Sequence, residues 1–199
     1  MYAFDESVAT MEARSKSLGI DLPAHEKSGQ IVVRQIDPAE VPPGQLTHQI
    51  RQAVENEGVR MVIIDSLNGY LQAMPDESFL ILQLHELLSY LGRQGVVSIL
   101  VVAQNGLVGA SMVSPTDVTY LADTVLLLRH FEAGGTLRKA VSVLKKRTGR
   151  HESAIRELCL TDKGITAGAP LTRFRGVLTG VPSYEGSADE LLARRGGNG

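Results

Sequence analysis

Cys159 is the only cysteine in 199 residues. A lone cysteine excludes an intramolecular disulfide and suits a reducing compartment. Set in an apolar run, it is expected to lie in a core. The five histidines are scattered, and nothing has zinc-ligand spacing. Neither sign of charge dominates: a formal net charge of −2 gives no general reason to expect nucleic acid or acidic lipid as a partner. No window approaches the roughly 18 to 20 apolar residues of a membrane helix. Asp5, Glu6 and Glu12 interrupt the opening stretch, so no signal peptide is expected. No internal repeat or low-complexity segment is found. What remains is the profile of a soluble, cytoplasmic chain with 43% hydrophobic residues and mean hydropathy near zero. Its length allows one sizeable core, one domain and a small appendage.

The stretch Arg60-Met-Val-Ile-Ile-Asp65-Ser66-Leu67 gives the chain its organisation. An unbroken apolar run of this length suits a strand covered on both faces, as in a parallel α/β sheet. A carboxylate at its carboxyl end sits where open α/β sheets bind ligands. A Walker B aspartate is placed in this way to hold a nucleotide-bound magnesium. The same residues also read as a buried strand followed by an aspartate that starts a turn.

Around this stretch the patterns alternate. Met1–Phe4 reads as a short strand ending at Asp5-Glu6, and Ser7 as the N-cap of a helix that stops at Gly19. Ile31–Ile36 is a strand candidate. Leu46, Ile50, Ala53 and Val54 recur at helical spacing after Pro42-Pro43, and Gly58 ends that helix. Pro75-Asp76 opens the strongest helix, with Leu80, Leu84, Leu87, Leu88 and Leu91 on one stripe. Val96–Ala103 reads as a second buried strand, ending in Gln104-Asn105. This alternation predicts βαβ units and a parallel sheet. After residue 120 the pattern changes. Thr124–Phe131 and Thr136–Lys146 read as a hairpin joined by Ala133-Gly134-Gly135, and Ala154–Leu160 as a further strand. The expected fold is α/β in front and antiparallel behind, with a frayed tail over the last dozen residues.

Three groups of residues offer chemistry. Asp5 and Glu6, Asp65 and Gln104 each close a strand. If those strands are neighbours, a carboxylate could orient and deprotonate a water, Asp65 could hold a metal and Gln104 could sense a phosphate. Strand ends are also polar simply because they are exposed. Lys145-Lys146-Arg147 closes an apolar strand, and alternation puts Lys145 and Arg147 on one face, where they could reach an oxyanion together. Lysines equally blunt sheet edges. The loop from Asn105 to Asp117 is long and rich in hydroxyls.

The chain resembles the KaiC family of RecA-like ATPases over roughly residues 1–185. The resemblance rests on Val62-Ile-Ile-Asp-Ser-Leu67, on Ala122-Asp123-Thr124 with Val-Leu-Leu-Leu-Arg129, and on an ordered set in the back half. That set runs Val143-Leu-Lys-Lys-Arg147, His151-Glu152, Ala154-Ile-Arg-Glu157 and Thr161-Asp-Lys-Gly164. It implies an α/β, RecA-like P-loop NTPase core continuing into antiparallel C-terminal hairpins. Residues 1–185 would form a partial domain, and 186–199 a disordered tail. It implies ATP and Mg2+ as ligands, a homo-oligomeric hexameric ring, and signalling proteins as partners. By the same resemblance Asp5 and Glu6 stand where the family has its paired catalytic acids, Glu6 being the water-orienting base. Asp65 matches the Walker B aspartate, with Ser66 and Gln104 beside the nucleotide. Lys145 and Arg147 match the pair that reaches the nucleotide of a neighbouring subunit. In clock members two adjacent hydroxyl residues are autophosphorylated. The corresponding positions here are Thr119 and Tyr120, which leaves Thr119 as the candidate acceptor.

One part of the pattern is missing. No Gly-x-x-x-x-Gly-Lys-[Ser/Thr] occurs in these residues, so the loop whose amides cradle phosphates is absent. The resemblance places it ahead of Met1, on an interior strand between the Gln104 strand and the Thr124–Arg129 strand. Its loss would leave two strand edges without partners. The expected function is therefore a KaiC-like ATPase, present as a fragment or truncated form and inactive alone. The alternatives are a non-catalytic ring subunit or interaction module and, last, a recombinase-like DNA-binding ATPase. Against the last, residues 105–117 contain no Lys or Arg, and phosphate contacts drive nucleic-acid affinity.

Overall fold

A computed structural model of the protein describes residues 1–73, 77–103, 118–179 and 181–186. The chain divides into two compact units. The first holds residues 1–103 and 118–121, and the second residues 122–186, among those described.

The first unit is a parallel sheet with helices. Strands β1 (Tyr2–Ala3), β2 (Arg34–Gln35), β3 (Met61–Asp65) and β4 (Val97–Leu100) lie in the order β2-β1-β3-β4. All the pairings are parallel, with Ala3 opposite Asp65 and Ile64 opposite Leu100. Helix α1 (Val8–Ser17) starts at Ser7, whose side chain accepts from the Thr10 amide. Helix α2 (Leu22–Lys27) is capped by Asp21. Helix α3 (Pro43–Glu57) begins on proline, which suits a first turn that lacks N–H partners anyway, and stops at Gly58. Helices α4 (Leu67–Ala73) and α5 (Glu77–Arg93) follow.

Leu46 and Ile50 of α3 and Leu80, Leu84, Leu87 and Leu91 of α5 close over Tyr2, Phe4, Val62 and Ile64. The leucine stripe read from the sequence is therefore the core face. On the opposite side of the sheet, Met11 of α1 and Leu22 of α2 pack with Ala3, Met1 and Val33.

Two expectations need correction. Ile31–Ile36 yields only the two-residue β2. Val96–Ala103 reads as a strand buried on both faces, yet Val97 is 54% exposed and Ile99 42%. Met61, opposite Val97 in register, is 50% exposed. Alternation sends these side chains to the face that α3 and α5 do not cover, and among the described residues nothing lies over them. Strand β4 is also the last in its sheet.

The second unit is an antiparallel sheet in simple order: β5 (Thr124–Ala133), β6 (Thr136–Lys146), β7 (Arg156–Thr161) and β8 (Gly164–Pro170). Gly134 and Gly135 join β5 to β6 with φ of 57° and 67°, values that two-residue hairpin turns demand and glycine meets without strain. One face buries Phe131, Ala133 and Ala140 under Leu171, Phe174 and Val177. Arg138 is fixed there by a bidentate pair with Glu157 and by stacking on Phe131 and Phe174. Strands β9 (Phe174–Arg175) and β10 (Ser183–Tyr184) form a small separate ribbon. Cys159, expected in a core, is only half-buried. The tail beyond residue 186, the 105–117 loop and Pro75-Asp76 fall outside the described residues.

Leu87 is 2% exposed between α3 and the sheet. Leu87→Ala is expected to destabilise the first unit by about 2–5 kcal/mol, from lost transfer free energy plus the cavity left behind. Urea titration followed by helical circular dichroism measures this.

Candidate functional site

Parallel strands bring their carboxyl ends to one edge, and here that edge carries the acids. Asp65 is the last residue of β3, and Asp5 and Glu6 follow β1, its immediate neighbour. The Phe4 amide donates to the Asp65 carbonyl at 2.7 Å, which extends the β1–β3 pairing by one step. The strands that carry Asp5-Glu6 and Asp65 are thus neighbours, the condition that the sequence reading sets. Gln104 would follow β4, the next strand over, but lies outside the described residues.

The turn after β3 fixes three strand ends at once. The buried Ser66 hydroxyl donates to Asp5 Oδ2 at 2.5 Å. The Leu67 amide donates to the Val101 carbonyl at 2.9 Å. Asn68 then makes a closed pair with Ala103, its Nδ2 donating to the carbonyl at 2.7 Å and its Oδ1 accepting from the amide at 2.6 Å. Gly69 comes so close to Asp5 that a methyl group in its place would overlap Oδ1. The Asp65–Ser66 peptide is cis.

Asn68 and Gly69 are absent from the residues that the sequence singles out. The available signal is their position: Asn-Gly directly after the strand-ending Asp-Ser-Leu, where a turn must satisfy its backbone groups.

The acids differ in their partners. Glu6 Oε2 is paired with Arg14 Nη2 of α1 at 2.6 Å. Asp5 is held by Ser66. The Asp65 carboxylate is half-exposed and makes no hydrogen bond or ion pair with any described residue. Magnesium binds protein through one or two carboxylates and keeps its other sites for water and phosphate oxygens. Asp65 fits that role. These residues contain no glycine-rich phosphate loop.

In the second unit Lys145 and Lys146 end β6, and Arg147 lies just beyond it. Arg147 Nη1 pairs with Asp123 Oδ1 at 2.9 Å, and its amide donates to the Asp123 carbonyl at 2.7 Å. The pairing shifts by one residue between Val125 and Leu126, opposite this end of β6. Thr119 is exposed on a turn.

A parallel α/β sheet with a strand-ending aspartate on its carboxyl edge, followed along the chain by an antiparallel sheet, is consistent with an α/β RecA-like fold. The family model described as "ATPase: KaiC" matches residues 1–171, and the chain belongs to that family. It is 24% identical to the circadian clock protein KaiC3 of Synechocystis over 189 residues, covering 95% of this chain and 37% of that protein. The circadian clock oscillator protein KaiC of Thermostichus vulcanus is 22% identical over 92% of this chain and 35% of its own length. That of Prochlorococcus marinus is 23% identical, with shares of 92% and 36%. The chain thus spans little more than a third of the length of the curated relatives it matches.

Two substitutions separate the parts of the 66–69 turn. Asn68→Ala leaves the Ala103 amide and carbonyl unpaired in a part-buried site, and is expected to cost about 1–3 kcal/mol. Hydrogen exchange at the Ala103 amide should accelerate in step. Gly69→Ala should displace Asp5 from Ser66, at a cost of about 1–3 kcal/mol for the overpacking. Shortening Asp5 to alanine in the same chain should then recover part of that loss. A Gly69→Ala protein as stable as wild type would show that Asp5 is not held against this turn.

Proposed function

We propose that this chain supplies the acid-bearing sheet and the basic strand of a KaiC-type ATPase domain working in a homo-oligomeric ring. Asp65 would hold the magnesium of a bound ATP, and Glu6 would orient and deprotonate the attacking water, with Asp5 and Ser66 keeping the two strand ends in register. Gln104 would stand beside the phosphates. Lys145 and Arg147 would act on the nucleotide of a neighbouring subunit. Bound magnesium supplies charge neutralisation at the transferring phosphoryl group. The observation that carries this reading is the uncommitted Asp65 carboxylate at the carboxyl end of β3, beside Asp5 and Glu6, within the stretch the family model matches. A cytoplasmic setting, signalling partners and phosphorylation of Thr119 extend the same reading.

A second reading has its own support. Glu6 is paired with Arg14 and Arg147 with Asp123, and no phosphate loop is present in these residues. These features favour a non-catalytic ring subunit, or an interaction module, that keeps the family surface without a nucleotide of its own.

The pure 199-residue protein is expected to show no magnesium-dependent ATP hydrolysis, because most of the electrostatic stabilisation at the γ-phosphate is missing. Activity that follows the protein through a sizing column would overturn this. The two readings part when the chain is mixed with a full-length ring relative whose own counterparts of Lys145 and Arg147 have been removed. On the ATPase reading the wild-type chain restores hydrolysis and the Arg147→Ala chain does not. An arginine delivered in trans is worth about 10³ to 10⁵ in rate. Equal rescue by both chains, or co-assembly without rescue, favours the non-catalytic subunit.

A further inference from the structure

Helices α3 and α5 border an open surface concavity of about 370 Å3 lined by Arg51, His85, Glu86, Ser89 and Arg93. It lies toward the end of α5 that leads through Gly95 into β4, not at the strand ends that carry Asp5 and Asp65. His85, Ser89 and Arg93 recur every four residues, so they form one line along α5. Arg51 faces them from α3. Its guanidinium carbon sits 4.7 Å from the centre of the Tyr90 ring. Tyr90 is itself fixed, its hydroxyl donating to Glu55 Oε1 at 2.8 Å. The Arg51 Nε is shielded from solvent and has no hydrogen-bond partner among the described residues. Stacking, not a carboxylate, holds this arginine in place.

That sets it apart from six other arginines of the protein. Arg14, Arg34, Arg138, Arg147, Arg156 and Arg175 each pair with an acidic side chain. Neither Arg51 nor Arg93 forms an ion pair or a hydrogen bond with any described residue, although Glu86 lines the same concavity. Glu55 is already engaged by Tyr90. Two guanidinium groups, an imidazole and a hydroxyl therefore converge on one open space, with a single uncommitted carboxylate among them.

Guanidinium groups match oxyanions because their N–H groups form a planar fork, and stacking on an aromatic face leaves that fork free. We propose that this concavity binds a phosphate-type oxyanion, gripped between Arg51 and Arg93 with Ser89 and His85 donating from α5. Glu86 beside the two arginines favours an organic phosphate whose remainder presents a donor to that carboxylate. The site does not depend on the ATPase reading and uses none of its residues.

The test is a titration of the intact protein with inorganic phosphate and with phosphoethanolamine, which adds an ammonium to the phosphate. The imidazole resonances of His85, assigned by their loss in His85→Gln, report binding. Saturable shifts are expected with both, tighter for phosphoethanolamine. Affinity should fall about tenfold or more in Arg93→Gln and Arg51→Met, as charge-assisted hydrogen bonds are lost. Arg60→Gln, another exposed arginine of the same unit, should bind like wild type. Arg93 is exposed, so Arg93→Gln remains a sound test even where Arg51→Met folds poorly. No saturable shift, or unchanged affinity in Arg93→Gln, would overturn the proposal.

Discussion

The Asp65 edge depends on one short turn. Parallel strands share no tight hairpins, so nothing local forces their carboxyl ends to finish level with each other. Here Ser66, Leu67 and Asn68 supply what connectivity does not. Each reaches a different place: Ser66 to Asp5 beyond β1, Leu67 to Val101 and Asn68 to Ala103 beyond β4. The three contacts are part-buried, where an unpaired polar group costs far more than a made bond contributes. The edge is thus specified by the penalty for breaking it. Among the described residues, Asp65 alone of the three acids has no side-chain partner, so the turn organises its neighbours and leaves it open.

The second constraint is unmet within the described residues. A parallel sheet belongs between two helical layers. One face of β3 and β4 has its layer, built by α3 and α5. The other has cover only over the β1–β2 half, where Met11 and Leu22 pack. Met61, Val97 and Ile99 are exposed on the remainder, and β4 has no outer neighbour. In the second unit β5 is likewise the end of its sheet, and Leu126 and Leu128 are more than 60% exposed. Apolar side chains on unpaired edge strands are what natural sheets avoid.

Much of the fold was legible because periodicity encodes burial. Val62 and Ile64 alternate into the core, the α5 leucines fall on one stripe, and Gly134-Gly135 marks the hairpin. The short elements were not legible. Helix α4 has seven residues with a glycine inside, too few to show a 3.6-residue pattern, and its stability comes from contacts with distant strand ends. The exposure of Val97 and Ile99 was equally hidden, since an apolar run reports what a strand can bury and not what is there to bury it. At the site, the positions of Asp5, Glu6 and Asp65 could be read from strand ends. The partners could not: Arg14 lies eight residues from Glu6, across the start of a helix, and Asp123 is paired with Arg147 only through the β5–β6 pairing.

Those partners bear on how firmly each acid or base is committed. The Arg14 and Arg147 side chains are both 56% exposed in their ion pairs. Exposed pairs contribute roughly 0–1 kcal/mol and are screened by salt. Breaking the Arg147–Asp123 pair, whose partners are 56% and 77% exposed, therefore costs little beside the several kcal/mol that positioned charges supply at a phosphoryl transition state. Arg147 is tethered more firmly than its side chain suggests, because its backbone amide is also bonded to Asp123. On the proposed ring reading, its backbone would stay fixed while the guanidinium turned away from Asp123. Glu6 differs, since its carboxylate is only 24% exposed. Its release from Arg14 would leave a half-buried charge in need of a new partner, and a bound water is one that Glu6 could both orient and deprotonate.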